Sequence, residues 1–281
     1  MDTGNYLRIP PYFLGGVMLE FVDEKGLLEE AIAILETTGN LGLIGYTGSG
    51  KTLMMHVLAE RLGVPLFTEQ VCRDTDKWTL LGHDILVGGS TVFRPGIVVK
   101  WLESKRGGVL GLEEYNLGDP SVMGVLNSIS DWRRSIYIPE LDREFVRTEK
   151  HYIILTMNPE TRSEYSGRFQ VDVAQRRRYV WLWVDYLSPN AERRYLWELT
   201  GRNPKYRKVI SRLVEWANRT RELYKIGELR LPVTTGNLKA AMKLIAEKGM
   251  NVDRVVEIIS YMYPTEVERE RVMSLWGRSE G

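Results

Sequence analysis

A glycine-rich loop between a short apolar run and a longer helical pattern constrains the fold of this chain more than any other feature. The eight residues of the loop are Gly45, Tyr46, Thr47, Gly48, Ser49, Gly50, Lys51 and Thr52. The apolar run 41–44 predicts a buried parallel strand before the loop, and the stretch 52–62 predicts a helix after it. This order places a helix N-terminus, with its partial positive charge, beneath the loop.

The pattern Gly-x-x-x-x-Gly-Lys-Thr is typical of loops that bind the phosphates of a nucleoside triphosphate. Its glycines let backbone N–H groups approach phosphate oxygens, while Lys51 neutralises the outer phosphates and the Thr52 hydroxyl coordinates Mg²⁺. The alternative is a chance glycine-rich turn, against which the flanking strand and helix patterns argue. The motif therefore predicts a nucleotide site with a magnesium ion.

The composition describes a globular chain without a bulk charge that would call for a polyanionic partner. Among its 281 residues, 38 are basic and 37 acidic, which argues gently against nucleic acid or an anionic membrane. No apolar stretch approaches the roughly 18 residues of a membrane span, and Asp2 argues against a signal peptide. Cys72 is the single cysteine, which fits a reducing compartment. We therefore expect a cytoplasmic protein.

The chain changes character near Pro189. Before it, short apolar runs alternate with helical stretches, which predicts an α/β domain over residues 1–188 with a parallel sheet flanked by helices. The predicted strands after the first are 66–68, 108–112, 152–156 and 179–184. After Pro189 four helical patterns follow, which predicts a small all-helical domain over residues 189–281.

Two adjacent carboxylates follow the apolar run 108–112. Such a pair, Glu113 and Glu114, is typical of nucleotide hydrolases, in which the first acid holds Mg²⁺ and the second polarises the attacking water. We assign Glu113 to the metal and Glu114 to the general base. Aspartate is usual at the first position, and the extra methylene of Glu113 moves its carboxylate outward. A solvated pair of acids at a strand end is the alternative.

A polar residue also ends the apolar run 153–157. Strand ends of a parallel sheet converge at its carboxyl edge, so Asn158 could orient the attacking water or contact the terminal phosphate. An asparagine before a proline, here Pro159, is also a common start of a turn. The spacing alone leaves both interpretations open.

Several arginines follow this strand. They are Arg168, Arg176, Arg177 and Arg178. A guanidinium that reaches the terminal phosphate bound by a neighbouring subunit would stabilise charge in the transition state. A solvated basic helix end is the alternative for each of them.

In this order along the chain, the motifs resemble AAA+ ATPases of the MoxR and midasin-like group. The resemblance covers roughly residues 15–250, and its strongest part is 107–116, which matches the group apart from Glu113. Residues 156–159 read Thr-Met-Asn-Pro, which resembles the sensor 1 element of the group. The resemblance therefore implies that Asn158 is sensor 1, and that the helical domain is a lid.

The same resemblance extends to the arginines. Residues 174–179 are similar to the element that carries the arginine finger, which implies that Arg178 is the finger and Arg176 the reserve. It also implies a ring, usually a hexamer, that binds ATP and Mg²⁺ between subunits. The implied task is to remodel or activate a partner protein, often one with a von Willebrand A-type domain.

Two further segments bear on this resemblance. Residues 80–96 are similar to a hairpin that the group turns towards the pore or the partner. The lid departs from the pattern because Gly236 stands where sensor 2 has an arginine, for which Lys239 or Arg230 could substitute. Together with Glu113, this departure suggests a slow ATPase.

Three functions compete at this point. The leading one is ATP-driven remodelling of a protein by a ring. The second is a nucleotide-gated binding module with slow turnover, which Glu113 and Gly236 favour. The third is a nucleic-acid motor or helicase loader, because Arg133 and Arg134, with Trp132 and Tyr137, could line a pore and stack on bases. A solvated hairpin is the alternative for the same residues. No sequence pattern identifies the residues that contact the nucleotide's base and distinguish ATP from GTP, although residues 12–14 are a candidate segment.

Overall fold

The computed structural model describes residues 7–8, 12–14, 17–159 and 169–277. The strands of this part are β1 (Leu7–Arg8), β2 (Tyr12–Leu14), β3 (Val17–Leu19), β4 (Val22–Asp23), β5 (Asn40–Ile44), β6 (Leu66–Gln70), β7 (Gly82–Val87), β8 (Ser90–Pro95), β9 (Gly108–Glu113), β10 (Ser135–Ile138), β11 (Arg143–Val146), β12 (His151–Met157) and β13 (Val180–Trp183). Its α-helices are α1 (Leu27–Thr38), α2 (Lys51–Arg61), α3 (Lys77–Leu80), α4 (Ile97–Leu102), α5 (Pro120–Met123), α6 (Asn127–Ser130), α7 (Val173–Arg176), α8 (Pro189–Leu199), α9 (Arg207–Lys225), α10 (Thr235–Lys248), α11 (Val252–Ser260) and α12 (Glu266–Gly277).

A parallel sheet of five strands carries the glycine loop. Its order is β13-β5-β12-β9-β6, and every neighbouring pair is parallel. The five strands are those that the apolar runs of the sequence predict. The loop leaves the carboxyl end of β5, next to the central strand β12. The predicted α/β P-loop fold, with a parallel sheet flanked by helices and a helical region after it, is confirmed.

Alternating side chains of the central strands fill a core on each face of the sheet. Leu41, Leu43 and Ile154 pack with buried residues of α1 and α2 on one face. Ile153 and Leu155 pack on the opposite face with residues of α4 and β9. Each such fully buried aliphatic side chain contributes about 1.5–3 kcal/mol. Both cores hold the carboxyl ends of the strands, and hence the loops after them, in place.

The chain divides into two compact units. The first, called the sheet unit, comprises Arg8–Gly45 and Gly50–Val184. The second, called the helical unit, holds the chain from Asp185 onward together with the loop segment Tyr46–Ser49. The domain limits 1–188 and 189–281 that the sequence suggests stay a prediction.

The helical unit has one more α-helix than the sequence predicts. The four predicted patterns correspond to α9–α12, and the described part of the unit adds α8 before them. Ser188 caps α8 by accepting a hydrogen bond from the Ala191 N–H, and Pro189 occupies its first turn. The buried stripe of α8 includes the charged Glu192 beside Leu196, which conceals the apolar periodicity. The prediction of four helices was therefore wrong by one.

The hairpin that the sequence suggests within residues 80–96 is present. Strands β7 and β8 pair antiparallel from Gly82 opposite Pro95 to Val87 opposite Ser90. Gly88 and Gly89 form the two-residue turn, with φ angles of 58° and 84° that favour glycine at both positions. Its direction towards a pore or a partner stays a prediction. Across the described residues, no helix combines the length and the apolar character needed to cross a membrane.

Candidate functional site

The glycine loop presents a helix N-terminus. Gly48 and Gly50 adopt left-handed φ angles of 72° and 98°, which residues with a side chain rarely adopt. Helix α2 begins at Lys51, directly after Gly50, which has no side chain to cap the first turn. The start of this 11-residue helix therefore has N–H groups and a partial positive charge that suit an anion.

The Lys51 ammonium is buried beside the loop. Only 7% of Lys51 is exposed, and its Nζ atom donates to the Gly45 carbonyl at 2.8 Å. It also donates to Oδ1 of Asn158 at 2.9 Å. A buried ammonium needs such acceptors, and phosphate oxygens would supply stronger ones. Lys51 thus lies where the motif predicts a phosphate ligand.

The Asn158 side chain connects Lys51 to Glu114. Its Nδ2 atom lies 3.0 Å from Oε1 and 3.1 Å from Oε2 of Glu114. The backbone carbonyl of Asn158 accepts a hydrogen bond of 3.2 Å from the side chain of Asn116. The Asn158 amide therefore lies between the lysine of the loop and the second acid, and its role as sensor 1 stays a prediction.

The backbone of Glu114 has an uncommon conformation. Its φ angle is 52°, in the left-handed region, which costs a residue with a side chain about 1–2 kcal/mol. The Glu114 N–H contacts the Thr156 hydroxyl at 3.3 Å. Thr156 lies within β12, two residues before Asn158. The chain holds this strained residue where β9 ends, and its carboxylate lies against Asn158.

Thr52 and Glu113 meet at the start of α2. The Thr52 hydroxyl donates to Oε2 of Glu113 at 2.7 Å. Both atoms are hard oxygen donors, the type that Mg²⁺ prefers, and Mg²⁺ usually keeps several waters and phosphate oxygens besides. The described residues contain no group of three or more His, Cys, Asp or Glu side chains that could hold a metal ion. This donor set fits a magnesium ion bound mainly through phosphates and water.

A buried hydroxyl of the loop fits a phosphate as well. Within the described part of the chain, the Ser49 Oγ atom is buried and has no hydrogen-bond partner. A buried hydroxyl without a partner is costly, and a phosphate oxygen would accept a hydrogen bond from it. The residues of the loop therefore fit the group that the motif predicts.

His56 lies one turn along α2 from Thr52. Burial lowers the pKa of its imidazole below the usual 6.5, and the Glu113 carboxylate opposes that shift. Burial therefore disfavours the charged form of His56 beside the acids.

Arg178 lies apart from this cluster. The Arg178 carbonyl accepts a hydrogen bond of 2.9 Å from the side chain of Asn40, the first residue of β5. The glycine loop begins at the other end of that strand, about 13 Å away by strand rise. The Arg178 guanidinium lies 3.6 Å from Asp131, and that of Arg176 lies 5.7 Å from the ring centre of Trp181. Arg168 is outside the described residues.

Asp131 organises the surface around Arg178. Hydrogen bonds from the Arg133 side chain, with a smaller contribution from the charge of Arg178, lower the Asp131 pKa to about 2. Arg133 contacts this carboxylate at 2.7 Å, and the Arg134 guanidinium donates to the Thr148 carbonyl at 3.1 Å. Both arginines beside Trp132 already have protein acceptors, which weakens the nucleic-acid interpretation.

Sequence reasoning assigned no role to Asn116 or Thr156, which orient Asn158 and Glu114. The signal available for Thr156 is a hydroxyl two residues before Asn158 on an otherwise apolar strand. Gly236, at the expected sensor 2 position, lies in the first turn of α10. The side chains of residues 12–14, the candidate segment for the base, lie outside the described part.

Comparisons with known proteins bear on the same region. Residues 40–178 match the family described as AAA domain (dynein-related subfamily). Two uncharacterised proteins of Staphylococcus aureus, from strains bovine RF122 / ET3-1 and USA300, are each 28% identical to this chain over 170 residues. Each alignment covers 59% of this chain and 62% of the relative, so it spans less than two thirds of those proteins.

Among solved structures, a crystal structure of a candidate ATPase from Cytophaga hutchinsonii ATCC 33406 is similar to this chain. The superposed region covers 88% of this chain and 78% of the Cytophaga chain, with 17% sequence identity and a TM-score of 0.48. The family match includes β5, the glycine loop, the two acids at the end of β9, and Asn158. Residues 40–178 are thus similar to AAA domains of the dynein-related subfamily.

Proposed function

We propose that this chain binds ATP with Mg²⁺ at the glycine loop and hydrolyses it. The observation that carries the proposal is the hydrogen-bonded series Lys51–Asn158–Glu114, with distances of 2.9 Å and 3.0 Å. It places a cation for the terminal phosphate, an amide that can orient water, and a carboxylate base next to one another. Thr52 and Glu113 would hold the magnesium ion.

Each side chain has a defined task in this proposal. Lys51 exchanges its bond to Asn158 for a terminal phosphate oxygen, because a charged acceptor binds an ammonium more strongly. The freed Asn158 amide orients the attacking water. Glu114 accepts its proton as the water attacks the terminal phosphorus, whose bond to the bridging oxygen breaks and releases ADP. When bound, Mg²⁺ would neutralise charge on the phosphates. The strained backbone of Glu114 keeps its carboxylate at the strand end during these exchanges.

We further propose that the site is completed by a second copy of the chain in a ring. In support, the Arg178 backbone lies beside the end of β5 opposite the loop, and its guanidinium lies 3.6 Å from Asp131. The ring, of six subunits by family resemblance, would use ATP turnover to remodel or activate a partner protein, for example one with a von Willebrand A-type domain. A cytoplasmic location belongs to the same proposal.

A second candidate is a nucleotide-gated binding module with little turnover. Both Glu114 carboxylate oxygens lie within 3.1 Å of the Asn158 amide nitrogen, so the proposed base is occupied in this structure. Such a site could bind ATP and change conformation without efficient hydrolysis. Measurable turnover separates the two candidates.

The ring proposal is tested by measuring Mg²⁺-dependent ATP hydrolysis at increasing protein concentration. Specific activity should rise with concentration, and Arg178→Ala should abolish the rise while ATP binding stays within about twofold. The matched control is Arg106→Ala, an exposed arginine of the sheet unit, which should behave as the wild type. Activity that is independent of concentration and unaffected by Arg178→Ala would overturn the shared site.

A further inference from the structure

A tyrosine of the helical unit holds the backbone of the glycine loop. The Tyr186 hydroxyl donates to the Thr47 carbonyl at 2.9 Å. In a planar trans peptide the C=O and the following N–H point in opposite directions. The hydrogen bond to Thr47 therefore also fixes the direction of the Gly48 N–H, which points away from Tyr186.

The position of Tyr186 is itself fixed by ring contacts. Its ring stacks on that of Tyr46, with centroids 6.1 Å apart and planes at 10°, and Tyr224 meets Tyr46 edge-on at 5.9 Å. The Lys225 ammonium lies 5.5 Å from the Tyr46 centroid and 5.8 Å from the Tyr186 centroid. Each ring–ring or cation–ring contact of this kind stabilises the folded protein by about 0.5–1.5 kcal/mol. Several such contacts therefore hold Tyr186 in position.

A buried ion pair lies behind Tyr186. The Arg221 guanidinium is 4.8 Å from the centre of the Tyr186 ring and forms two hydrogen bonds of 2.9 Å and 2.8 Å with Glu192. Arg221 is 2% exposed and Glu192 is fully buried. Buried ion pairs add little net stability compared with apolar residues of similar size, because desolvation offsets the attraction. What this pair does supply is a defined geometry.

That geometry extends to the start of α10. Arg221 Nε donates to the Val233 carbonyl at 2.8 Å, and the Thr235 hydroxyl donates to Glu192 at 2.6 Å. Thr234, the N-cap of α10, also approaches the loop directly. A Cβ atom on Gly48 would lie 2.2 Å from its methyl carbon. The loop segment and the first turn of α10 are thus joined by two separate sets of contacts.

We infer that Tyr186 is a positioning residue for the nucleotide site, which orients the Thr47–Gly48 peptide for phosphate binding. We further infer that the Arg221–Glu192 pair couples nucleotide binding at the loop to the conformation of α10. This inference rests on the proposed nucleotide binding. A tyrosine hydroxyl and a buried ion pair would then link the loop to the helices. Gly236 has no side chain that could make a phosphate contact in their place.

The first test compares Tyr186→Phe with Tyr261→Phe by calorimetric titration of the full chain with ADP and Mg²⁺. Tyr261 donates a 2.9 Å hydrogen bond to Glu257 on α11, so its variant loses a comparable bond elsewhere in the helical unit. Tyr186→Phe keeps the ring and should weaken ADP binding about three- to tenfold, the range expected for one hydrogen bond. Its kcat at saturating ATP should stay within about twofold of the wild type. Tyr261→Phe should change neither quantity.

The second test measures amide hydrogen exchange with and without ADP. In the wild type, ADP should slow exchange both at the start of α2 and at the start of α10. In Tyr186→Phe at saturating ADP, protection should persist at α2 and fall at α10. Equal protection of α10 in both proteins, or unchanged ADP affinity in Tyr186→Phe, would overturn the inference alone. A wild-type chain that does not bind ADP would overturn the proposed function and this inference together.

Discussion

The Nζ atom of Lys51 lies 2.9 Å from Oδ1 of Asn158, although the two residues are 107 positions apart in the chain. The contact joins the loop after β5 to the end of the neighbouring strand β12, whose register aligns Met157 with Ile44. Because Asn158 also contacts Glu114 after β9, three adjacent strand ends contribute to one cluster. The chemistry of the site thus depends on the order of strands in the sheet.

Replacing Asn158 with alanine tests its place in this cluster. The variant leaves the buried Lys51 with one acceptor fewer and removes the amide beside Glu114, so kcat should fall about 10- to 100-fold. Asn218→Ala is the matched control, because that amide donates to a carbonyl of its own helix, at 2.8 Å. Steady-state ATP hydrolysis gives both values. An Asn158→Ala kcat within twofold of the wild type would exclude a role in turnover.

The role of Glu113 is tested through magnesium dependence. Glu113→Gln removes the charge next to Thr52 and should raise the half-saturating Mg²⁺ concentration for ATP hydrolysis about tenfold. Glu113→Asp keeps the charge, and a carboxylate that binds the metal through water tolerates the shorter side chain, so its value should stay within about threefold. Equal magnesium dependence of the wild type and Glu113→Gln would remove Glu113 from the metal site.

The glycine loop offers a matched pair of substitutions. Gly50 has a φ of 98° and Gly63, at the other end of α2, has a φ of 67°, and a Cβ atom would meet nothing closer than 3.9 Å at either position. Alanine should therefore lower stability by about 1–3 kcal/mol at both sites through backbone strain alone. Only Gly50→Ala should weaken ADP binding, by about tenfold or more, because it moves the start of α2. Urea unfolding and calorimetric titration measure the two effects, and equal affinity in both variants would contradict the loop assignment.

The Asp131 carboxylate predicts a specific acid dependence. Its pKa is lowered to about 2 in the folded protein, by Arg133 first and by Arg178 in addition, and lies near 4 when unfolded. The ionised form is therefore favoured by folding, so its stabilisation is present above about pH 4 and is lost as the pH falls towards 2. Urea midpoints of the wild type and Asp131→Asn should differ most above pH 4 and converge near pH 2. A difference that is constant over this range would show that the pairing is absent in solution.

The sequence predicted the parts of the site that depend on short local patterns. The loop, the apolar run before Glu113 and the polar end of β12 each combine a motif with a neighbouring strand, so their positions followed from the rules of parallel sheets. Helix α8 was missed because its buried face includes the charged Glu192, whose partner Arg221 comes 29 positions later. Tyr186 could not be recognised for the same reason, since its importance lies in contacts with residues distant in sequence.

The central claim is that Glu114 acts as the base for ATP hydrolysis beside a loop that binds the nucleotide. Glu114→Gln tests it most directly, because the amide keeps the shape of the side chain but cannot accept the proton. We predict that this variant binds ATP with Mg²⁺ within about threefold of the wild type while its kcat falls at least 100-fold. A Glu114→Gln variant that turns over ATP at the wild-type rate, or a wild type that binds ATP without turnover at any protein concentration, would contradict the account.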